Sequence, residues 1–134
     1  MDYFDSPFLS CHQLRKLFGP LSPDIAALQL SRGPLEGRLR VIKLGAIRLN
    51  FLETNQSLFL SGARRPENCT IAIPLEDARP SDYRAQGIPV IWPALMGYNR
   101  HLTDFDLKIP AGAKLATIVI NKEVLFGEFS RLQS

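Results

Sequence analysis

Apolar and polar residues alternate along most of this chain, which is the pattern of half-buried β-strands. The alternation is clearest at 103–109, where Phe105, Leu107 and Ile109 share the inward face. The same reasoning predicts strands at 38–44, 47–52, 57–61, 69–75, 87–93 and 115–120. Strands do not alternate with helices, so we expect an antiparallel sandwich or closed barrel, and a cupin-like jelly roll suits the strand number.

Strand 47–52 indicates which side chains enter the interior. Ile47, Leu49 and Phe51 lie on one face, and Arg48 and Asn50 lie on the other. We expect the apolar set to face inward. Gly45 separates this strand from the preceding one and is expected to be the hinge of a hairpin.

A short helix is predicted near the start. Ser10 followed three residues later by Gln13 forms a capping box, and an apolar stripe follows it. Gly19 is expected to end the helix in a left-handed conformation. We therefore assign 1–24 as a helical lead-in and 25–120 as a β-barrel domain.

A second helix is predicted over 121–134, with Asn121 as its N-cap. Val124, Leu125 and Phe129 follow at helical spacing and form an apolar stripe. We expect this stripe to support a homodimer. The helix would lead towards a further domain that these residues do not contain.

The composition fits one globular domain, because apolar residues make up 46% of the 134 positions and the net charge is only +3. Basic residues are concentrated between Arg32 and Arg65. One interpretation is a phosphate-binding surface. The favoured one is the solvated side of a hairpin, because no aromatic residues lie among the arginines to stack on bases.

The chain contains no recognisable catalytic constellation. Its two histidines, His12 and His101, lie far apart, and Cys11 and Cys69 have no metal-binding spacing. No nucleophile motif or nucleotide-binding loop is present. We therefore expect no enzyme activity, no cofactor and no metal site. The two cysteines are expected to be reduced thiols.

No apolar run is long enough for a membrane span, and the first residues, MDYFDSPF, do not resemble a signal peptide. A cytoplasmic location without membrane contact is the expectation.

Binding is the favoured class of function, because no group that could carry catalysis is visible. Trp92 lies in a proline-flanked apolar segment with Tyr98 close behind it, and aromatic residues of this kind can line a pocket for an apolar small molecule. The favoured interpretation of Trp92 alone is that it closes the end of the barrel. From the predicted strand faces we expect an effector pocket built from Leu49, Phe51, Ile73, Trp92, Tyr98, Phe105 and Leu107.

Two stretches carry a family resemblance. The sequence LSRGPLEGRLR at 30–40, running into LGAIRL at 44–49, resembles the opening of the N-terminal domain of AraC-family transcription regulators. FDLKIPAG at 105–112, followed by a hydrophobic strand and NKEVL at 121–125, is similar to the end of that domain.

The resemblance implies a cupin-like domain that senses a small-molecule effector, dimerises, or does both. DNA binding in that family belongs to a separate C-terminal domain, which these residues lack. Two alternatives stay open: a small cupin-type metalloenzyme, and a nucleic-acid-binding β-barrel that uses the Arg32–Arg65 face.

Overall fold

The computed structural model describes residues 2–21, 24–63, 67–77, 79, 82–90, 94–96 and 104–133. Within them the chain is mainly β, with two helices. The elements are β1 (Asp2–Phe8), α1 (Cys11–Phe18), β2 (Ala26–Gln29), β3 (Gly37–Leu44), β4 (Ile47–Thr54), β5 (Leu58–Ala63), β6 (Asn68–Pro74), β7 (Arg84–Ala85), β8 (Ile88–Pro89), β9 (Ala94–Met96), β10 (Asp104–Ile109), β11 (Lys114–Asn121) and α2 (Lys122–Gln133).

The strands form two antiparallel sheets. The first has the order β1-β3-β4-β11-β6-β9, and the second has the order β2-β5-β10-β7-β8. The pairings of the central part are nested: β4 pairs with β11, β5 with β10, β6 with β9 and β7 with β8. The prediction of a mainly antiparallel β fold is therefore confirmed.

The prediction of a closed barrel is wrong. Both sheets are open in the described part of the chain, and their edge strands are β1 and β9 in the larger sheet and β2 and β8 in the smaller one. A barrel needs a hydrogen-bonded ladder between every pair of neighbouring strands. Here the two sheets are instead joined by side-chain packing between their inner faces.

One hydrophobic cluster packs between the sheets. The larger sheet contributes Leu39, Val41, Leu52, Ala72 and Leu115, and the smaller sheet contributes Ala27, Leu58, Leu60, Leu107 and Ile109. Removal of this apolar surface from water is the main stabilising contribution to the fold.

The register of β4 differs from the expectation. Asn50, Leu52 and Thr54 are the buried residues of this strand, so Ile47, Leu49 and Phe51 lie on the opposite, outer face. The alternation was predicted correctly and its direction was not. The physical reason is that the outer face of this sheet is also apolar, so apolar character does not distinguish the two sides.

The lead-in contains a strand that the sequence did not reveal. β1 pairs with β3 along its whole length, from Asp2 opposite Lys43 to Phe8 opposite Gly37. Pro7 is tolerated because β1 is an edge strand, where a missing N–H costs no ladder hydrogen bond.

Helix α1 begins as predicted. Ser10 Oγ accepts a hydrogen bond from the Gln13 N–H at 3.1 Å, and Gln13 Oε1 accepts one from the Leu9 N–H at 2.6 Å. Leu14 is completely buried and anchors the helix to the core. Gly19, however, has φ −46°, so the expected left-handed cap is wrong.

Helix α2 also begins where the sequence predicts. Asn121 Oδ1 accepts hydrogen bonds from the N–H groups of Glu123 at 2.8 Å and Val124 at 3.4 Å, which is N-cap geometry. The helix follows β11 directly in the chain. Val124 and Phe126 remain exposed on it.

Gly37 provides a test of this packing. A Cβ at this position would meet the ring of Phe8 and lie 2.6 Å from the Glu53 carbonyl oxygen. We expect Gly37→Ala to lower the free energy of unfolding by about 2–3 kcal/mol, because the clash involves backbone.

Gly127→Ala is the matched control, because a Cβ at that position in α2 meets no atom within 4 Å. It should be neutral or stabilise by about 0.5–1 kcal/mol. Urea denaturation of both variants measures the difference, and equal effects would contradict the close packing of β1 on β3.

Candidate functional site

The inner face of the larger sheet changes from apolar to polar along its strands. Cross-strand register aligns its central side chains in three rows. The first row is Leu39, Leu52, Leu115 and Pro74; the second is Val41, Asn50, Thr117 and Ala72; the third is Lys43, Arg48, Val119 and Thr70. We call Arg48, Asn50, Thr70 and Thr117 the inner polar patch.

Asn50 is the deepest member of this patch. It is 9% exposed, and among the described residues no donor reaches its Oδ1 atom. Its cross-strand neighbours are Val41 and Thr117. A buried amide oxygen without a hydrogen-bond partner costs about 1–3 kcal/mol, so it needs an explanation.

Thr54 shows how a buried polar group in the same strand is normally satisfied. It lies on the same face of β4 as Asn50 and is also buried. Its Oγ1 donates to the Gln56 carbonyl at 2.8 Å and accepts from the Gln56 N–H at 3.3 Å. Thr54 is therefore structural, whereas the Asn50 oxygen has no structural role of this kind.

The patch also carries positive charge. Arg48 lies on the inner face one row beyond Asn50, and its Nε atom is buried. Lys43 is directly opposite Arg48 on β3 and is exposed. A guanidinium group at this depth favours a ligand with a carboxylate or another hydrogen-bond acceptor.

The residues of the expected effector pocket are not brought together. Leu49, Phe51 and Ile73 lie on the outer face of the larger sheet, where Ala116 separates Phe51 from Ile73 within one row. Phe105 and Leu107 project from the smaller sheet and pack in or against the core. Trp92 and Tyr98 lie outside the described residues.

Sequence reasoning missed Asn50 and Thr117. The polar side chain of Asn50 between apolar neighbours in the strand predicts an outward position, and this prediction is wrong. The sequence did contain one signal against this prediction, because the neighbouring strand 115–120 is apolar on both of its faces. A strand of this type shows that polarity alone does not orient its neighbours in the sheet.

The expected dimerisation residues all lie on α2. Val124 is exposed, and Leu125 is half-buried. Phe129 belongs to the helix, but its side chain lies outside the described part of the structure. Their role in dimerisation stays a prediction.

The basic segment Arg32–Arg65 does not form a single surface. Arg38 and Arg40 lie on the outer face of the larger sheet, whereas Arg48 lies on the inner face. The placement of Arg64 and Arg65 falls outside the described residues. This division does not favour a nucleic-acid interface, which needs its cations along one accessible surface.

The two outward arginines are paired with acids. Arg38 Nη1 lies 2.7 Å from Asp5 Oδ1, and Arg40 Nη2 lies 3.4 Å from Glu53 Oε1. The hydrogen bond from Arg38 is the main reason that the pKa of the Asp5 carboxyl is lowered from its ordinary value. The cluster joins the edge strand β1 to β3.

A shallow cleft of about 440 Å³ lies beside the smaller sheet. Asp24, Asp104 and Asp106 line it, and two of them have structural roles: Asp24 accepts the Ala63 N–H and Asp106 accepts the Gln86 N–H, at 2.7 and 2.8 Å. These bonds hold connecting segments against the sheet.

The remaining chemically distinctive groups are structural as well. Tyr83 is fully buried and donates to Glu76 Oε1 at 2.8 Å, and this burial raises the pKa of its phenol. Burial likewise raises the pKa of the Cys11 thiol, so Cys11 is not an activated nucleophile. Neither Cys11 nor Cys69 is in a disulfide.

Within the described ranges, no group of three His, Cys, Asp or Glu side chains is placed to hold a metal ion. The helices of those ranges are also too short and too polar to cross a bilayer.

Comparison with known proteins yields no relative. The chain matches no protein-family model, no curated protein and no solved structure. Its function must therefore be argued from its own residues.

Asn50 gives the first test of the inner polar patch. We expect Asn50→Leu to raise the free energy of unfolding by about 1–2 kcal/mol, because it replaces an unsatisfied buried amide with an apolar group of similar size.

Thr54→Val is the matched control and should lower the free energy of unfolding by about 1 kcal/mol, because it breaks two satisfied hydrogen bonds to Gln56. Urea denaturation measures both. Destabilisation by Asn50→Leu equal to that by Thr54→Val would show that the Asn50 amide is an ordinary structural group.

The Asp5 ion pair predicts a pH effect. A carboxyl with a lowered pKa stabilises the fold above its ordinary pKa of 3.8, and this contribution disappears as the pH falls through the lowered value. Asp5→Asn should therefore lose less stability than the wild type between about pH 5 and about pH 2. Thermal melts across this range measure it, and parallel pH profiles for the two proteins would contradict the ion pair.

Proposed function

We propose that this chain is a regulatory sensor domain that binds a small polar effector between its two sheets. Its architecture would be the cupin-like jelly roll of AraC-family regulators. The nested pairing of β4 with β11, β5 with β10, β6 with β9 and β7 with β8 supports this proposal, because folding a long hairpin into two sheets generates a jelly roll.

The sequence resemblance adds support at specific elements. The segment 30–49 covers the approach to β3 and most of the β3–β4 hairpin, with Gly45 in its turn at φ +62°. The segment 105–112 covers β10 and the turn after it, and 121–125 covers the capped start of α2.

The observation that carries the proposal is the buried Asn50 oxygen. It lies on the inner face of the sheet, in the row where the apolar core gives way to polar residues. A ligand hydroxyl or ammonium group would donate to it and remove the cost of an unsatisfied acceptor. Thr117 is directly opposite on β11 and adds a hydroxyl to the same position.

The positive charge of the inner polar patch indicates the class of ligand that would bind there. Arg48 lies in the next row, on the same face of β4 as Asn50. A carboxylate there would form a charge-assisted hydrogen bond. A small hydroxy acid or amino acid satisfies both groups with one molecule, because its donor and its carboxylate are adjacent.

The same strand provides a route for a signal. Thr117 lies on β11, and β11 ends at Asn121, whose side chain caps α2. If a ligand binds more tightly when β11 is in one placement than in another, it increases the population of that placement. The arrangement of α2 that belongs to this placement is then populated more as well. In a regulator of this type, α2 would transmit that shift to a DNA-binding domain.

The test is a thermal-shift screen of the purified chain with small hydroxy acids, amino acids and sugars. A true effector should stabilise the wild type by about 2.7 kcal/mol at a concentration near 100 Kd. Its effect should be lost in Asn50→Leu and retained in Leu28→Thr, a variant on the outer face of the smaller sheet. An effect that survives Asn50→Leu, or the absence of a hit in all three classes, would refute the proposed site.

A further inference from the structure

Two cations face each other at the end of the inner polar patch that lies farther from the core. Lys43 on β3 and Arg48 on β4 are directly opposite in the cross-strand register, one row beyond Asn50. Lys43 belongs to the inner face, because Leu39 and Val41 alternate with it on β3 and are buried. Like charges directly opposite each other on neighbouring strands are destabilising. An anion between the two side chains would remove this cost.

The acid in the same row does not neutralise Lys43 by direct contact. Asp2 on β1 is opposite Lys43 on its other side, but in the described part of the chain no ion pair joins these two side chains. The next acid along β1 is Asp5, which is paired with Arg38 on the opposite face of the sheet. The row therefore keeps an excess of positive charge beside the inner polar patch.

A second pair of facing cations shows that like charges alone do not define a site. Lys108 on β10 is directly opposite Arg84 on β7, and Lys108 is exposed on the outer face of the smaller sheet. Arg84 Nη1 there donates to the Gly87 carbonyl at 3.0 Å. The pair at Lys43 differs, because it adjoins the buried Asn50 oxygen, which has no hydrogen-bond partner among the described residues.

The Asn50 oxygen and the two cations are close enough for one small molecule. Residues two apart on a strand are separated by about 6.7 Å along it, and neighbouring strands are about 4.8 Å apart. The side chains of Lys43 and Arg48 are also long and extend the reach of both charges. A molecule that donates to Asn50 can therefore contact both cations when a short carbon chain carries two acidic groups.

We infer that the effector is a hydroxy acid or amino acid with two acidic groups rather than one. Its hydroxyl or ammonium group donates to Asn50, one carboxylate binds Arg48, and the second binds Lys43 at the exposed end of the patch. This inference rests on the proposed function, because it concerns the same site. It adds the charge of the ligand and assigns Lys43 as the residue that selects it.

The experiment is isothermal titration calorimetry of the 134-residue chain with three matched acids. Lactate has a hydroxyl and one carboxylate, malate has a second carboxylate, and succinate has two carboxylates without the hydroxyl. Malate should bind about 5-fold more tightly than lactate, which corresponds to one partly exposed ion pair. Succinate should bind more weakly than malate, because it has no donor for Asn50. Alanine and aspartate give the same comparison for an ammonium donor.

Lys43→Gln should make the affinities for malate and lactate equal, because it removes the contact of the second carboxylate. Lys43→Arg keeps the charge and should retain the preference for malate. Lys108→Gln is the matched control, because it removes a lysine from an equivalent pair of facing cations on the other sheet. Its preference for malate should equal that of the wild type. Circular dichroism and a thermal melt of each ligand-free variant identify any loss of folding.

The outcomes separate this inference from the proposed function. Equal affinities of the wild type for the acids with one and two carboxylates, both lost in Asn50→Leu, would overturn the inference and leave the proposed site intact. A preference for malate that persists in Lys43→Gln would overturn it too. So would an equal loss of preference in Lys108→Gln, because the overall charge of the chain would then attract the second carboxylate. If none of these acids binds the wild type, the inference and the proposed ligand class both fail.

Discussion

The pairing register of β4 with β3 and β11 is the constraint on which the structure depends. Because side chains alternate with a period of two, this register alone decides that Leu52 enters the core and Phe51 does not. A slip of one residue would exchange the two faces of the strand. The completely buried Leu39, paired with Leu52, and the nearly buried Leu115 on the other side hold the register by packing in one row.

Strands β4 and β11 contribute side chains to both faces of the larger sheet. On β4, Asn50 faces inward between Leu49 and Phe51, which face outward. On β11, Thr117 faces inward between Ala116 and Ile118. The inner polar patch and the apolar side chains of the outer face are thus separated by one backbone layer, and a change of register in β4 or β11 would alter both faces at once.

Much of the fold was predictable from the chain, because turns and caps have local causes. Ser10 and Asn121 cap their helices with their own side chains, and the β3–β4 hairpin has its glycine in the turn. The direction of β4 was not predictable, since it depends on what covers each side of the sheet. Strand β1 was missed for a related reason: it alternates weakly and is stabilised by β3, whose paired residues lie 29 to 41 positions further along the chain.

The candidate site was less predictable than the fold for a physical reason. Sequence reasoning assigns polar residues to solvent and apolar residues to the core, and the two faces of the larger sheet violate both assignments. Asn50 is polar and buried without a donor among the described residues, and Leu44 and Ile73 are apolar and exposed. Each feature costs free energy in the isolated chain, whereas the remaining core follows the ordinary rules. A buried polar group without a partner is expected at a functional surface, because a bound ligand removes its cost.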